Sequence, residues 1–251
     1  MAAFKIRKRC MASPTCSFRQ GVSRLPPKRS WRDTLVAGAF VVAAWLNWAA
    51  AAGADEQPSL FAGLSVIAYG EQLLDVATGV TTLPDGGEVI DRDSGVALVG
   101  AVIRYREGSF IEAEEAAIET PSGRLQAEKV RIDVEAGVLF AEGTASVALE
   151  ALSASSERLS LDLREEIIVA QGAVTSVAPS FEAAAVVIDM VASRAFLVGP
   201  YRYQDDPVSL RGSGDGDLLM VSWSVSNDEV SFDVATEFEA GVLARIEPYL
   251  P

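Results

Sequence analysis

The sequence contains no histidine, and its two cysteines, Cys10 and Cys16, both lie near the start. Without histidine the chain has no Ser-His-Asp or Cys-His catalysis and no histidine ligand for a metal. Because no cysteine follows residue 16, the rest of the chain has no thiolate nucleophile and no disulfide. Adjacent acids such as Glu165 and Glu166 point to opposite faces of a strand, so they cannot converge on a substrate. The sequence therefore predicts a protein with no catalytic residues, no metal site and no cofactor, that is, no enzyme.

Basic residues are scarce after the first segment of the chain. Of the 21 Lys and Arg, nine lie in residues 1–33, together with one of the 35 Asp and Glu. The remaining 12 basic and 34 acidic residues give residues 55–251 a formal charge of −22. A protein that binds nucleic acid needs a basic surface to neutralise phosphates. We therefore expect no nucleic-acid partner.

Residues 1–54 have the organisation of an export signal. A basic segment precedes an apolar run from Leu35 to Ala52, and the small residues Ala52 and Ala54 flank Gly53 as at a signal-peptidase site. The run is also about as long as the roughly 20 residues of a membrane-spanning helix. Asn47 and the alanine-rich end of the run favour cleavage after Ala54 over an inner-membrane anchor formed by residues 35–54. Both alternatives predict export of residues 55–251 to the periplasm or cell envelope.

Beyond residue 55 the chain shows little helical periodicity and much alternation of apolar and polar residues. Clear examples are residues 130–134, 145–149, 159–163 and 230–234, and this period of two is typical of half-buried strands. Gly, Pro and Asp residues separate these segments, and they predict tight turns near residues 121–123, 135–137 and 164–166. The pattern predicts an all-β, antiparallel fold of short strands.

An internal repeat refines this prediction. Residues 125–143, 152–172 and 181–199 each contain an apolar strand that ends in Asp, a turn, a second strand and then a Gly. In all three, the Asp precedes the Gly by ten residues, at 133 and 143, 162 and 172, and 189 and 199. We interpret each unit as a hairpin with its turn at the Asp, and the Gly as a place where the chain bends or two backbones approach closely. Hairpins stacked in order would form one roll.

The scheme apolar-x-Ala-x-x-apolar-x-apolar-Asp, a turn, then apolar-x-x-Gly resembles the hairpin repeat of the periplasmic lipopolysaccharide-transport proteins, the LptA, LptC and OstA-like family. Residues 125–199 carry the resemblance best. It implies a twisted antiparallel β-jellyroll, or β-roll, of repeated hairpins over residues 55–200, with residues 201–251 as a C-terminal β extension of the same roll. It also implies acyl chains of an envelope lipid or lipopolysaccharide-like glycolipid in an apolar groove. Edge-to-edge strand contacts with itself or other transport proteins would form a bridge between membranes.

Alternation predicts which side chains line that interior and which face water. Arg131, Asp133, Ser160, Asp162 and Asp189 are expected to face water. Ile132, Leu161 and Ile188 occupy equivalent positions in the three repeats, so hairpin stacking should bring them to one shared interior. The predicted lipid-binding residues are Val130, Ile132, Val134, Val147, Leu159, Leu161, Leu163, Val186, Ile188 and Met190. The alternative hypothesis is a structural or adhesive cell-envelope β-solenoid in which these residues form a closed core without a ligand.

Overall fold

The structure is a computed structural model that describes the backbone of residues 4–7 and, with side chains, residues 64–227 and 229–251. The predicted signal peptide or anchor, including the cleavage site after Ala54 and the apolar run 35–54, lies outside the described residues apart from the short strand at residues 4–7. Among the described residues, no helix is long and apolar enough to cross a membrane.

The described chain folds into seventeen antiparallel strands of one continuous sheet, followed by two short helical segments. The strands are β1 (Phe4–Arg7), β2 (Leu64–Ala68), β3 (Leu73–Asp75), β4 (Val80–Leu83), β5 (Gly87–Asp91), β6 (Val96–Gly100), β7 (Val102–Arg106), β8 (Phe110–Thr120), β9 (Gly123–Asp133), β10 (Val138–Leu149), β11 (Ser153–Asp162), β12 (Ile167–Val177), β13 (Ser180–Asp189), β14 (Arg194–Asp205), β15 (Val208–Gly212), β16 (Leu218–Ser226) and β17 (Glu229–Ala235). The helix α1 (Ala240–Ile246) precedes a 3₁₀ turn at Glu247–Tyr249. The predicted all-β roll of repeated hairpins is confirmed.

The long strands β8 to β14 are bent near their middle. The pairing register shifts at residues 142–145 of β10 and at residues 171–174 of β12. Gly143 and Gly172 lie at these shifts with φ of +71° and +81°. A Cβ at either position would lie 2.9–3.0 Å from the Cβ of Glu128 or Glu157, so both conformation and space favour glycine. The repeat glycines therefore mark a crease across the sheet, as the sequence predicts.

The crease folds the sheet into two layers. At one end, β8 pairs with β7 through residues 110–114 and with β6 through residues 117–119. At the other end, β14 pairs with β16 through residues 194–198 and with β15 through residues 201–205. Layer A therefore contains β3, β4, β7, β16 and β17, and layer B contains β2, β5, β6 and β15. Each of β8 to β14 contributes one half to each layer, and one hydrophobic cluster lies between the layers.

The turns of layer A are built around the repeat aspartates. Oδ1 of Asp162 accepts hydrogen bonds from the backbone N–H groups of Arg164 and Glu165, both at 3.0 Å. Oδ1 of Asp133 and Oδ1 of Asp189 accept one such bond each, from Ala136 and Ala192. These side chains replace missing backbone partners in the turn. The predicted turns at residues 121–123, 135–137 and 164–166 are confirmed.

The exposure of one residue is predicted wrongly. Asp189 was expected to face water, but its side chain is only 4% exposed. The reason is the C-terminal segment, which packs over this turn and which alternation within β13 cannot reveal. The strands end at Ala235, and the sequence does not predict α1, which follows them.

Candidate functional site

The interior between the layers is lined by continuous rows of apolar side chains. Cross-strand pairs place Ile132, Leu161 and Ile188 on a single row of layer A, where they are 0–3% exposed. From β7 to β17 the row consists of Tyr105, Ile111, Ile132, Leu139, Leu161, Ile168, Ile188, Ala195, Val221 and Val234. It continues through the buried Thr81 of β4 to Leu74 of β3. The row crosses the entire layer because every hairpin repeats the same register relative to its aspartate.

The neighbouring row, closer to the crease, alternates large and small side chains. Val130, Leu159 and Val186 are separated along it by Ala141 and Ala170. Such alternation lets the opposite layer interdigitate at normal core density. The two polar residues in the middle of the first two repeats, Glu128-Lys129 and Glu157-Arg158, coincide with the register shift. The shift changes which side of the strand is apolar, so Ala127 and Val130 both point inward.

Three predicted residues lie at the edge of layer A that is remote from the crease. Val134, Leu163 and Met190 each follow a repeat aspartate, and their N–H groups donate to carbonyl oxygens of the preceding turn at 2.9–3.1 Å. Val134 is buried, whereas Leu163 and Met190 are partly buried. Val147 belongs to layer B and pairs with Leu125. All ten predicted lipid-binding residues belong to, or pack against, the one interior cluster.

Layer A and layer B differ in the polarity of their inner faces. The interior rows of layer A are aliphatic across β8 to β14, and its buried hydroxyl is that of Thr81 on β4. In layer B, strands β11, β12 and β14 contribute the buried hydroxyls of Ser156, Ser176 and Tyr203. The two serine hydroxyls donate to the carbonyl oxygens of Arg158 and Pro179, at 2.9 Å and 2.7 Å. The Tyr203 hydroxyl has no hydrogen-bond partner among the described residues. Burial, and secondarily the nearby Asp205, raises the pKa of Tyr203, so the phenol is neutral.

The C-terminal strap, defined as residues 238–251, covers a second apolar surface that sequence reasoning missed. Ile246 is 1% exposed and packs with Ile167, Val169, Val187 and Phe196 on the outer face of layer A. A signal for it exists in the sequence. Residues 167–170, 185–188 and 195–198 are uninterrupted apolar runs rather than alternating ones, and such runs are typical of strands buried on both faces.

Polar contacts join the strap to the repeat turns. Nε of Arg245 donates to Oδ2 of Asp189 at 2.8 Å, and the Tyr249 hydroxyl donates to Oδ2 of Asp162 at 2.9 Å. Burial alone would raise the pKa of Asp162, but hydrogen bonds from the Glu165 N–H, the Tyr249 hydroxyl and the Arg164 N–H hold it below its usual value. The strap is thus held by two successive hairpin turns as well as by apolar packing.

The outer face over β7 to β10 is charged and open. Glu112 forms ion pairs with Arg104 and Arg131, and the Arg131 guanidinium lies 5.2 Å from the centre of the Phe110 ring. A groove of about 380 Å³ opens here, with Phe140 47% exposed. No group of three or more metal-ligating side chains lies close enough together to hold a metal ion in the parts of the chain that the structure describes.

Both layers end in edge strands. Layer B ends in β2 and β15, and layer A begins with β3, where Leu73 and Leu74 are 46% and 61% exposed. The last strand of layer A, β17, pairs with the backbone of β1 through four residue pairs. The β17 edge is therefore able to accept an additional antiparallel strand.

No protein-family model and no curated protein matches this sequence. Among solved structures, the chain is similar to LptH of Pseudomonas aeruginosa, the LptA-homologous periplasmic component of the lipopolysaccharide transport device. The match covers 46% of this chain and 87% of LptH, with 19% sequence identity and a TM-score of 0.42.

Proposed function

We propose that this protein is a non-enzymatic lipid carrier of the cell envelope, which holds acyl chains between layers A and B. The observation that carries the proposal is the unbroken aliphatic row through Ile132, Leu161 and Ile188. Sandwich cores need apolar inner faces, but a row that repeats in register across all seven long strands also provides a straight path for an extended hydrocarbon chain.

The interior residues are almost inaccessible without a ligand, so binding requires the two layers to separate. Burial of an acyl chain is worth about 0.8 kcal/mol per CH₂, or roughly 10 kcal/mol for a twelve-carbon chain. That gain offsets the loss of contacts between the layers, because the chain replaces one apolar neighbour with another. Leu163 and Met190, at the edge remote from the crease, are the partly buried members of the site, and we place the entrance there.

The charge of the exported region suggests where the lipid head group lies. With a formal charge of −22 over residues 55–251, the protein repels anionic head groups on average. We propose that the head group stays in solvent while only the acyl chains enter the interior. The lipid itself is an envelope lipid or lipopolysaccharide-like glycolipid.

We further propose that the protein works in the periplasm and contacts other β-rolls through its edge strands. Support for edge contacts comes from the pairing of β17 with β1 and from the exposed leucines of β3. Cleavage after Ala54 would remove β1 and leave the β17 edge for a partner strand. Retention of residues 35–54 would instead tether the roll to the inner membrane.

The test is mass spectrometry of lipids that co-purify with the full chain, compared between wild type, Leu161→Asp and Ser155→Asp. Leu161 is 3% exposed on the interior row, whereas Ser155 is an exposed residue of the same strand. We expect bound lipid in wild type and Ser155→Asp and none in folded Leu161→Asp. An empty wild-type protein with an unfolded Leu161→Asp variant would favour the structural solenoid.

A further inference from the structure

We infer that the Tyr203 hydroxyl recognises an oxygen atom on the lipid, by donating a hydrogen bond to a carbonyl or hydroxyl group of the bound chain. This inference rests on the proposed function and adds a chemical class to it. The ligand would be an acyl chain that carries an ester, an amide or a hydroxyl group, rather than a plain alkyl chain.

The position of Tyr203 is that of an interior residue. It lies in the layer B half of β14, between Phe181 of β13 and Leu210 of β15 in the cross-strand register. Its side chain is 0% exposed and belongs to the interior cluster. The hydroxyl is therefore shielded from solvent, with apolar side chains of the interior cluster around the residue and the buried carboxylate of Asp205 nearby.

The hydroxyl is also the exception among the buried polar groups of this layer. Ser156 and Ser176 both donate to backbone carbonyls, whereas the Tyr203 hydroxyl has no partner among the described residues. A buried hydroxyl without a partner destabilises the folded state, because it has lost its hydrogen bonds to water. Phe181, directly opposite on β13, shows that the same row accommodates an unsubstituted phenyl ring. A ligand oxygen would supply the missing acceptor.

The location of Tyr203 also orients the ligand. β14 is one strand away from β15, the edge of layer B at the C-terminal end of the roll. An oxygen atom bound to Tyr203 therefore lies near this end. The hydrocarbon beyond it would extend over the aliphatic rows toward β9, where Val130 and Ile132 lie.

The experiment measures the affinity of the full chain for two amphiphiles below their critical micelle concentrations. Sucrose monododecanoate has an ester carbonyl on its twelve-carbon chain, and dodecyl maltoside has an ether in its place. We expect wild type to bind the ester about tenfold more tightly, as one buried hydrogen bond would provide. Tyr203→Phe should bind both with the affinity of the ether. Tyr201→Phe, two residues away on the same strand, should keep the tenfold preference.

The outcomes separate the two proposals. If wild type binds neither amphiphile, the proposed function fails and this inference fails with it. If wild type binds both equally, or if Tyr203→Phe keeps the preference, the inference is overturned while the carrier function stands. The ligand-free Tyr203→Phe variant should also unfold at or above the wild-type temperature. A lower unfolding temperature would mean that the hydroxyl has a structural partner, and would overturn the inference.

Discussion

Strands β8 to β10 and strands β12 to β14 have similar inner faces but opposite outer faces. A single outer row of layer A runs through Arg104, Glu112, Arg131, Phe140, Ser160, Val169, Val187, Phe196 and Met220. Its first part is charged and in contact with water, and its last part is apolar and covered by the C-terminal strap. One row of the sheet can thus be exposed to water at one end and buried at the other. The side chains on each strand determine whether another segment must cover that part of the row.

The largest effect should come from a charge under the strap. Val187→Asp would place a carboxylate at a position that is 0% exposed, without a cationic neighbour in the row. We expect a loss of roughly 3 kcal/mol or more in the free energy of unfolding. Phe140→Asp, on the same row but 47% exposed, should cost less than about 1 kcal/mol. Urea unfolding compares the two, and equal losses would mean that the strap does not exclude water.

Removing apolar contacts from the strap itself should have a smaller effect. Ile246 is 1% exposed, so Ile246→Ala should cost about 2 kcal/mol, at the low end for buried aliphatic truncation because the site lies near the surface. Binding of a fluorescent apolar dye should increase as the face around Val169 and Phe196 becomes accessible. Leu74→Ala, at a position that is 61% exposed, is the control and should change neither measurement.

The contact between Tyr249 and Asp162 predicts a dependence on alkaline pH. Burial and the hydrogen bond to Asp162 raise the pKa of Tyr249 to about 12, above the ordinary tyrosine value of about 10. Between these values the native state holds the proton that the unfolded state has lost, so stability falls as pH rises from 10 to 12. Tyr249→Phe should cost about 1 kcal/mol at pH 7.

The comparison with Tyr249→Phe isolates this residue from other tyrosines that titrate in the same range. The difference in unfolding free energy between wild type and the variant should shrink as pH rises from 10 to 12. Chemical denaturation at intervals across that range measures it. A constant difference would contradict the assignment of the hydrogen bond.

The smallest effect should come from the charged half of the row. Glu112→Gln removes the negative charge shared by Arg104 and Arg131, whose side chains are 55% and 54% exposed. Exposed ion pairs contribute little, so we expect a change below about 1 kcal/mol that decreases further at high salt. If Glu112→Gln lowered the free energy of unfolding as much as Ile246→Ala, the charged part of the outer face would stabilise the roll as much as the apolar part under the strap, contrary to this prediction.

Much of the interior could be predicted because it depends on local repetition. The equal Asp-to-Gly spacing in three repeats placed Ile132, Leu161 and Ile188 in equivalent positions, and the structure has them on one row. The repeat glycines predicted a bend or a close approach of two backbones, and Gly143 and Gly172 lie at the bend with positive φ. The lipid-binding role of these residues stays a prediction.

The outer face was harder to predict because it depends on contacts between distant segments. Asp189 looked like a solvent-facing turn residue, yet Arg245, far along the chain, pairs with it. The uninterrupted apolar run 185–188 indicated burial on both faces but not what would cover the outer one. The sequence likewise cannot show that the Tyr203 hydroxyl has no hydrogen-bond partner in the described part of the chain, because such partners depend on the packing of the surrounding strands.

The sequence by itself determined the strand period, the turn positions and the inward side of the predicted interior residues, since each follows from residues close together in the chain. Only the tertiary structure decided that Val187 and Phe196 are buried by the strap and that the Tyr203 hydroxyl has no partner within residues 64–227 and 229–251. Local patterns specify which side chains must leave water, but the identity of the group that covers them depends on how the whole chain packs.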